Sequence, residues 1–224
     1  MSSSEAIAAS LVFLSVIALL LAALVVRRYF VERRLCYLYW GLGLLLFFVT
    51  LVQEAVLDFG AWSQPLIQSY LVLVAVLVGI LSMGSAEISL ARRWRWPYYG
   101  YLAVTSVALA VVGFTTTISP SIVSSGVVSG VPPATIDLVS SLITFPAAVL
   151  LIVSALYGAI KYRRFHLIYI ALGTAVISAA GTLYLVSFPA TLYYAEFFGI
   201  LLLFLGFVRI PRLAVGTTQQ LNAA

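Results

Sequence analysis

The chain has 224 residues, of which 63% are hydrophobic and 8% charged, and its formal net charge is +5. An ordinary soluble domain carries about 25% charged residues, and a water-soluble fold of this size could not bury so much apolar surface. The basic residues form short clusters between apolar runs, which indicates membrane orientation and argues against a nucleic-acid surface. The composition therefore predicts an all-α integral membrane protein. The single cysteine, Cys36, excludes an intramolecular disulfide.

The N-terminal apolar run is predicted to be a retained first helix and not a cleaved signal peptide. A secretory signal has positive charge before its apolar core. Here the only early charge is Glu5, and Arg27 and Arg28 follow an apolar run of about 20 residues, long enough to span a bilayer.

Seven segments have the roughly 20 apolar residues that a bilayer-spanning helix needs. They are residues 6–27, 36–57, 65–90, 97–117, 135–160, 166–188 and 190–210. The sequence therefore predicts a single membrane domain built as a seven-helix bundle.

The positions of the basic residues predict how the chain is threaded. All twelve fall between spans one and two, three and four, or five and six, or after span seven, and therefore on one side of the membrane. The positive-inside rule makes that side cytoplasmic, which puts the N-terminus outside and the C-terminus inside. We expect a multi-pass protein of the cell (plasma) membrane, with the lipid bilayer as its main partner and no nucleic acid.

Two similar stretches predict an internal repeat. The sequence RRLCYLYWGLG begins at Arg33 and RRFHLIYIALG begins at Arg163, and each opens a span that runs outward. This favours a parallel duplication of three helices, with units 6–90 and 135–210. Residues 97–117 would be the connector helix and residues 115–136 an external loop. The alternative is a chance similarity between two cytoplasmic helix starts.

Small and polar residues recur at helical 3-4 spacing in five spans, which places them on one face of each helix. Small residues allow close packing and hydroxyl groups form hydrogen bonds across helices, so these faces are predicted to point into the bundle. The faces are Gly43, Phe47, Thr50 and Glu54; Gln68, Val72, Ala75, Gly79 and Ser82; Asp137, Ser141, Thr144 and Ala148; Thr174, Ser178 and Gly181; and Glu196, Gly199, Leu203 and Gly206.

Glu196 is the leading site candidate, because a carboxylate about 10 Å below the outer surface needs a partner or a proton. One interpretation is a proton- or ligand-sensing group that lines an outward-facing polar cavity. The other is a protonated side chain that bonds to a neighbouring helix. The remaining candidates at comparable depth are Tyr193, Glu54, Asp137, Gln68, Thr144 and Tyr184.

For Glu54 and Asp137, which are predicted nearer the outer water, a solvated position is the favoured interpretation. Glu87 is predicted to form an ion pair at the inner rim, beside Arg92. Pro146, inside span five, cannot donate to the carbonyl of Leu142, so it is a candidate hinge, although a static packing kink is the commoner outcome.

The inventory of reactive side chains argues against an enzyme. The chain has one histidine, His166, so bis-histidine haem ligation is excluded, and a zinc site has too few ligands. No phosphate-binding loop or dinucleotide glycine motif is present. We therefore expect no catalytic residues, no cofactor and no metal.

In topology the chain is similar to the microbial rhodopsins, but their last helix carries a lysine and the only lysine here is Lys161. A layout of three, one and three helices is similar to the sugar-efflux and PQ-loop transporters, whose Pro-Gln signature is absent. It is similar as well to the seven-helix sensor regions of membrane receptors. These resemblances cover topology alone and identify no family.

The favoured function is a small transporter or channel-like protein that moves a small solute or protons, with an outward-facing polar cavity around Glu196. One alternative is a sensor or receptor module that signals through a separate cytoplasmic or membrane protein. A second alternative is a structural subunit of a larger membrane complex.

Overall fold

The structure, a computed structural model, describes residues 3–58, 60, 62–120, 123–124, 127–128, 132–161, 163, 166–183, 195, 198–203 and 205–206, with the backbone alone at 3–10, 58, 123–124, 127–128, 166 and 177–183. Within these ranges lie six long helices and a hairpin of two short strands. They are α1 (Ser3–Glu32), α2 (Leu35–Asp58), α3 (Gln64–Ser89), α4 (Arg92–Thr115), β1 (Val123–Ser124), β2 (Val127–Val128), α5 (Ala134–Lys161) and α6 (His166–Leu183). Residues 198–203 are also helical and are called the C-terminal segment.

Five of the described helices are long and apolar enough to cross a membrane: Leu11–Glu32, Leu35–Leu57, Gln64–Ser89, Arg92–Thr115 and Ala134–Lys161. α6 contains a shorter apolar stretch, Leu167–Val176. The chain is thus a helical, multi-pass membrane protein, which confirms the predicted class. The count of seven crossings, their direction and the identity of the membrane stay predictions.

Two helices extend further than the sequence predicted. α1 continues to Glu32, beyond the expected end near residue 27, and α4 begins at Arg92, ahead of the expected start at residue 97. Arginine is a good helix former, and a helix leaves the apolar layer without a break because its backbone groups are already paired. Pro97 consequently lies inside α4 and not at its start.

Five of the long helices and the C-terminal segment pack in a closed ring. α1 contacts α2, α2 contacts α3, α3 contacts α5 and α5 contacts α6, while α4 lies outside against α3 and α5. The C-terminal segment closes the ring, because Gly199 approaches Gly173 of α6. On its other side, Ile200 joins Leu11 and Leu14 of α1 in one apolar cluster.

Glycines allow close helix approaches. A Cβ atom added to Gly173 would lie 2.7 Å from the carbonyl oxygen of Gly199, and one added to Gly43 would lie 2.6 Å from the side chain of Leu81 in α3. Both distances are too short for real contacts. Because lipid provides no hydrophobic drive for helix association, such van der Waals packing at small residues is what holds membrane helices together.

At the arginine-rich end of the bundle, Glu87 forms an ion pair with Arg95, with 2.8 Å between Oε2 and Nη1. The hydroxyl of Tyr99 donates to the other carboxylate oxygen at 2.7 Å. The predicted rim ion pair is therefore present, but the prediction of Arg92 as its partner was wrong. Arg92 is exposed at the start of α4, whereas Arg95 lies one turn further along, where it reaches back to α3.

Pro146 lies inside α5 and leaves the carbonyl of Leu142 without its usual helical donor. The hydroxyl of Tyr101 in α4 supplies the missing hydrogen bond, at 2.5 Å. An unpaired carbonyl is costly in lipid, so this contact stabilises the α4–α5 interface at the proline. It favours a static role for Pro146, and the hinge role stays a prediction.

We predict that Gly173→Ala lowers the thermal stability of the detergent-solubilised protein, because the new methyl group would collide with backbone atoms of the C-terminal segment. Overpacking of this kind costs about 1–3 kcal/mol. Gly100→Ala is the matched control, since that helical glycine has open space around it and alanine is the better helix former. Equal melting temperatures for the two variants would contradict the close approach.

We also predict that Tyr101→Phe destabilises the protein by roughly 1 kcal/mol, the scale of hydrogen bonds between membrane helices. In a Pro146→Ala background the helix regains its own donor to Leu142, so the same Tyr101→Phe change should have a much smaller effect. The measurement is a double-mutant cycle of unfolding in detergent. Additive effects of the two substitutions would show that Tyr101 does not compensate for the proline.

Candidate functional site

A cavity of about 50 Å³ lies at the centre of the ring. Its described lining comes from α1, α2, α3, α5, α6 and the C-terminal segment, with none from α4. The residues are Ala18, Leu21, Trp40, Leu44, Phe47, Leu77, Val78, Leu81, Leu151, Ile170, Thr174, Ile200 and Leu203. An unfilled cavity of this size costs on the order of 1 kcal/mol.

The cavity wall is almost entirely apolar. Among the described lining residues, Trp40 and Thr174 are the ones with a polar side-chain atom. The hydroxyl of Thr174 donates to the carbonyl of Ile170 at 2.9 Å, so its oxygen remains able to accept a hydrogen bond. The site can therefore recognise a molecule by shape and apolar contact, with one fixed polar group.

Several lining residues occupy equivalent positions in the two predicted units, 130 positions apart. Leu21 corresponds to Leu151 in this way. The same spacing relates Trp40 to Ile170 and Leu44 to Thr174, and all six residues line the cavity.

The backbone and burial patterns follow the same spacing. Arg33 and Arg163, which begin the two similar stretches, both have a left-handed backbone, with φ of 53° and 50°. A left-handed residue after a helix is usually glycine, since a Cβ atom is disfavoured there. In addition, residues 38–46 and 168–176 show the same order of buried, half-buried and exposed side chains at all their positions.

Glu54 is buried, with 2% of its surface exposed, whereas the sequence favoured a solvated position. It shares the inward face of α2 with Phe47 and Thr50, and Thr50 is itself buried. Leu51, one turn away, packs against α1 and Ile200 of the C-terminal segment. The expectation failed because it judged depth from the helix end, although the neighbouring elements cover this face.

Gln68 is buried and fastens the loop that follows α4. Its amide nitrogen donates to the carbonyl of Thr116 at 2.9 Å. One turn earlier, the amide of Gln64 faces the backbone of Ile118, accepting from its nitrogen at 2.6 Å and donating to its oxygen at 3.0 Å. Ile118 is buried against Leu57 and Ile67 at the end of the bundle opposite the arginines. Gln68 thus has a structural partner away from the cavity.

The predicted inward face of α5 was wrong. Asp137 and Ser141 are exposed, and Thr144 is only half-buried. The hydroxyl of Thr144 donates to the carbonyl of Ser140 at 3.1 Å, so it is satisfied within its own helix and needs no neighbour. The buried face of α5 consists of small and apolar residues: Ile136, Ile143, Ala147, Leu151, Ala155, Gly158 and Ala159.

The other predicted faces agree with the structure where it describes them. In α2, Gly43, Thr50 and Glu54 are buried and Phe47 is half-buried; the α3 residues Gln68, Val72, Ala75, Gly79 and Ser82 are all buried. In the C-terminal part, Gly199, Leu203 and Gly206 are buried as predicted. Glu196, Tyr193 and Tyr184 lie outside the described residues, as do the side chains of Ser178 and Gly181.

Within the described part of the chain, no group of three His, Cys, Asp or Glu side chains is placed to hold a metal ion. The described cavity wall likewise has no titratable side chain. No family model, curated protein or solved structure matches this chain.

The sequence did not indicate the central cavity, because polar residues are what mark a site within a membrane span and this wall is apolar. One available signal was the pair of similar stretches. Each contains a glycine at the same place, Gly43 and Gly173, and each glycine packs against a leucine of the cavity wall. Glycines at equivalent positions of the two stretches predict close helix packing there, and so point to the region between the two predicted units.

We predict that Gln68→Leu loosens the loop between α4 and α5, because the carbonyl of Thr116 loses its donor. The measurement is the rate of elastase cleavage between these two helices, which should rise in the variant. Gln53→Leu is the matched control, since Gln53 donates to Ser69 of α3 and not to the loop. An unchanged cleavage rate in Gln68→Leu would show that the glutamine does not hold the loop.

Proposed function

We propose that the chain is a small membrane transporter in which two three-helix units, residues 6–90 and 135–210, enclose a solute site, with α4 as the connector. The observation that carries this proposal is the central cavity, whose described wall draws on every helical element of the two units and not on α4. Transporters with parallel repeats place their solute site at the repeat interface.

The duplication is supported by agreement at several independent levels. The two units share the Arg-Arg stretch, the left-handed backbone at its first arginine and the burial pattern of the helix that follows. α1 and α5 also begin and end within one residue of each other when shifted by 130 positions. A chance similarity of two helix starts would not extend to the helix ends or to the cavity wall.

The depth of the cavity fits a path across the bilayer. Trp40 and Phe47 lie about 8 and 18 Å along α2 from its arginine-rich end, at 1.5 Å per residue. The cavity therefore occupies the inner half of the bundle up to its middle. Glu54 lies about 28 Å along the same helix, on the face that carries Phe47.

In this proposal the carboxylates control entry from the outer side. Glu54 lies beyond the apolar site along α2, and the sequence predicts Glu196 at a comparable depth in the last span. Intramembrane acids are expensive and commonly mark proton or solute pathways. The outward-facing polar cavity around Glu196 would be the entrance, and the apolar cavity the site that the entrance serves.

The test is proton flux into liposomes that contain the purified protein and a trapped pH-sensitive dye, driven by a potassium gradient with valinomycin. We expect a potential-driven pH change that Glu54→Gln and Glu196→Gln each reduce to the level of protein-free liposomes, because an amide cannot exchange a proton. Glu32→Gln is the acid-to-amide control at the arginine-rich end and should leave the flux unchanged. The proposal fails if the unaltered protein gives no flux above protein-free liposomes, or if neither variant changes the flux.

A further inference from the structure

We infer that the central cavity binds a small, largely apolar molecule that carries one hydrogen-bond donor, such as a short-chain alcohol. This inference rests on the proposed function, because it names the substrate class of the same site. It is carried by three features of the cavity wall: its apolar character, the way two glycines keep it open, and the single oriented hydroxyl of Thr174.

The apolar wall favours an organic molecule over water. A buried water needs two to four polar partners, and apolar cavities stay dry. Here the described wall offers polar atoms at Trp40 and Thr174 alone, among Ala, Leu, Val, Ile and Phe side chains. The aromatic side chains of Trp40 and Phe47 add polarisable surface on the α2 side.

Two equivalent glycines account for the presence of a cavity in an otherwise tight bundle. Leu81 occupies the space where a Cβ atom of Gly43 would be, at 2.6 Å, and Leu203 lies 3.0 Å from the Cβ position of Gly173. Both leucines line the cavity. Each leucine therefore packs onto a bare glycine, in space that a Cβ atom would otherwise occupy. We attribute the open space beside the two leucines to this packing.

The hydroxyl of Thr174 sets the polarity and the orientation of the ligand. It donates its proton to the carbonyl of Ile170, so toward the cavity it acts as an acceptor. The equivalent position in the other unit is Leu44, which is apolar. A ligand with one donor group would thus point that group toward α6 and its hydrocarbon part toward α2.

The experiment uses Trp40 as the reporter. The other three tryptophans, Trp62, Trp94 and Trp96, are exposed and are replaced by phenylalanine in the full-length chain. The purified protein in detergent micelles is titrated with 2-bromoethanol or with 1-bromopropane, a pair in which a hydroxyl replaces a methyl group. Bromine quenches the indole when it lies close, so binding in the cavity gives saturable loss of Trp40 fluorescence.

We expect saturable quenching by both probes in the reporter protein. Thr174→Val should weaken the binding of 2-bromoethanol by about 3- to 10-fold, the scale of one lost hydrogen bond. The same substitution should leave the affinity for 1-bromopropane unchanged. Leu44→Phe should abolish the saturable phase by filling the cavity. Leu42→Phe, the same substitution on the exposed side of α2, should retain it. Ile200→Phe fills the cavity from the C-terminal segment and replaces Leu44→Phe if that variant does not fold.

Quenching that rises linearly and equally in the reporter, the cavity-filling variant and the Leu42→Phe control would overturn the inference, since it would reflect partition into the micelle. If Thr174→Val weakens the binding of both probes equally, the ligand's donor group does not bind to Thr174 and that part of the inference is overturned. The binding readout does not depend on flux. Saturable binding without flux would therefore reject transport and keep the site, whereas flux without binding would reject the ligand class alone.

Discussion

The bundle depends on how closely its helices approach one another at glycine. In lipid, apolar side chains gain nothing by leaving the solvent for a neighbouring helix, so association relies on dense packing and on hydrogen bonds. Gly173 meets the backbone of Gly199, and Gly43 meets Leu81, at distances that leave no space for a methyl group. Hydrogen bonds also hold helices together where a helix lacks one of its own backbone bonds. The hydroxyl of Tyr101 donates in this way to the carbonyl of Leu142, which Pro146 leaves without a helical donor. The two glycine contacts fix interfaces within the ring, and the tyrosine contact fixes α4 against the outside of it.

The same packing explains why the centre is open. A leucine that packs on a glycine occupies space that a Cβ atom would otherwise fill. Gly43 and Gly173 occupy corresponding positions in the two predicted units, and the leucines that pack on them, Leu81 and Leu203, both line the cavity. The cavity thus needs no residue dedicated to shaping it. The two predicted units differ at the cavity wall, where Trp40 corresponds to Ile170 and Leu44 corresponds to Thr174, so similar packing surrounds an asymmetric wall.

The sequence predicted the class, the positions of six helices and three of the inward faces, because apolar length and 3-4 spacing are properties of a helix in lipid regardless of its neighbours. The prediction failed where contacts with neighbouring helices determine whether a side chain is buried. The hydroxyl of Thr144 bonds within its own helix, so the polar face of α5 did not need to point inward. Glu54 is buried because other elements cover its face, which its distance from a helix end cannot indicate. The cavity was missed for a related reason, since an apolar wall resembles any other packed surface in a sequence.

One face of α2 joins the two parts of the candidate site. Gly43 sets the position of Leu81 at the cavity, Phe47 lines it, and the hydroxyl of Thr50 donates to the carbonyl of Phe47 at 2.7 Å. Glu54 follows one turn beyond Thr50 and is buried as well. A change of charge on a buried carboxylate acts over a longer distance than one in water, because little solvent screens it. In the proposed mechanism, proton exchange at Glu54 would act on the cavity along the face of α2 that both share, so the proposed solute site would respond to protons although its described wall has no titratable group.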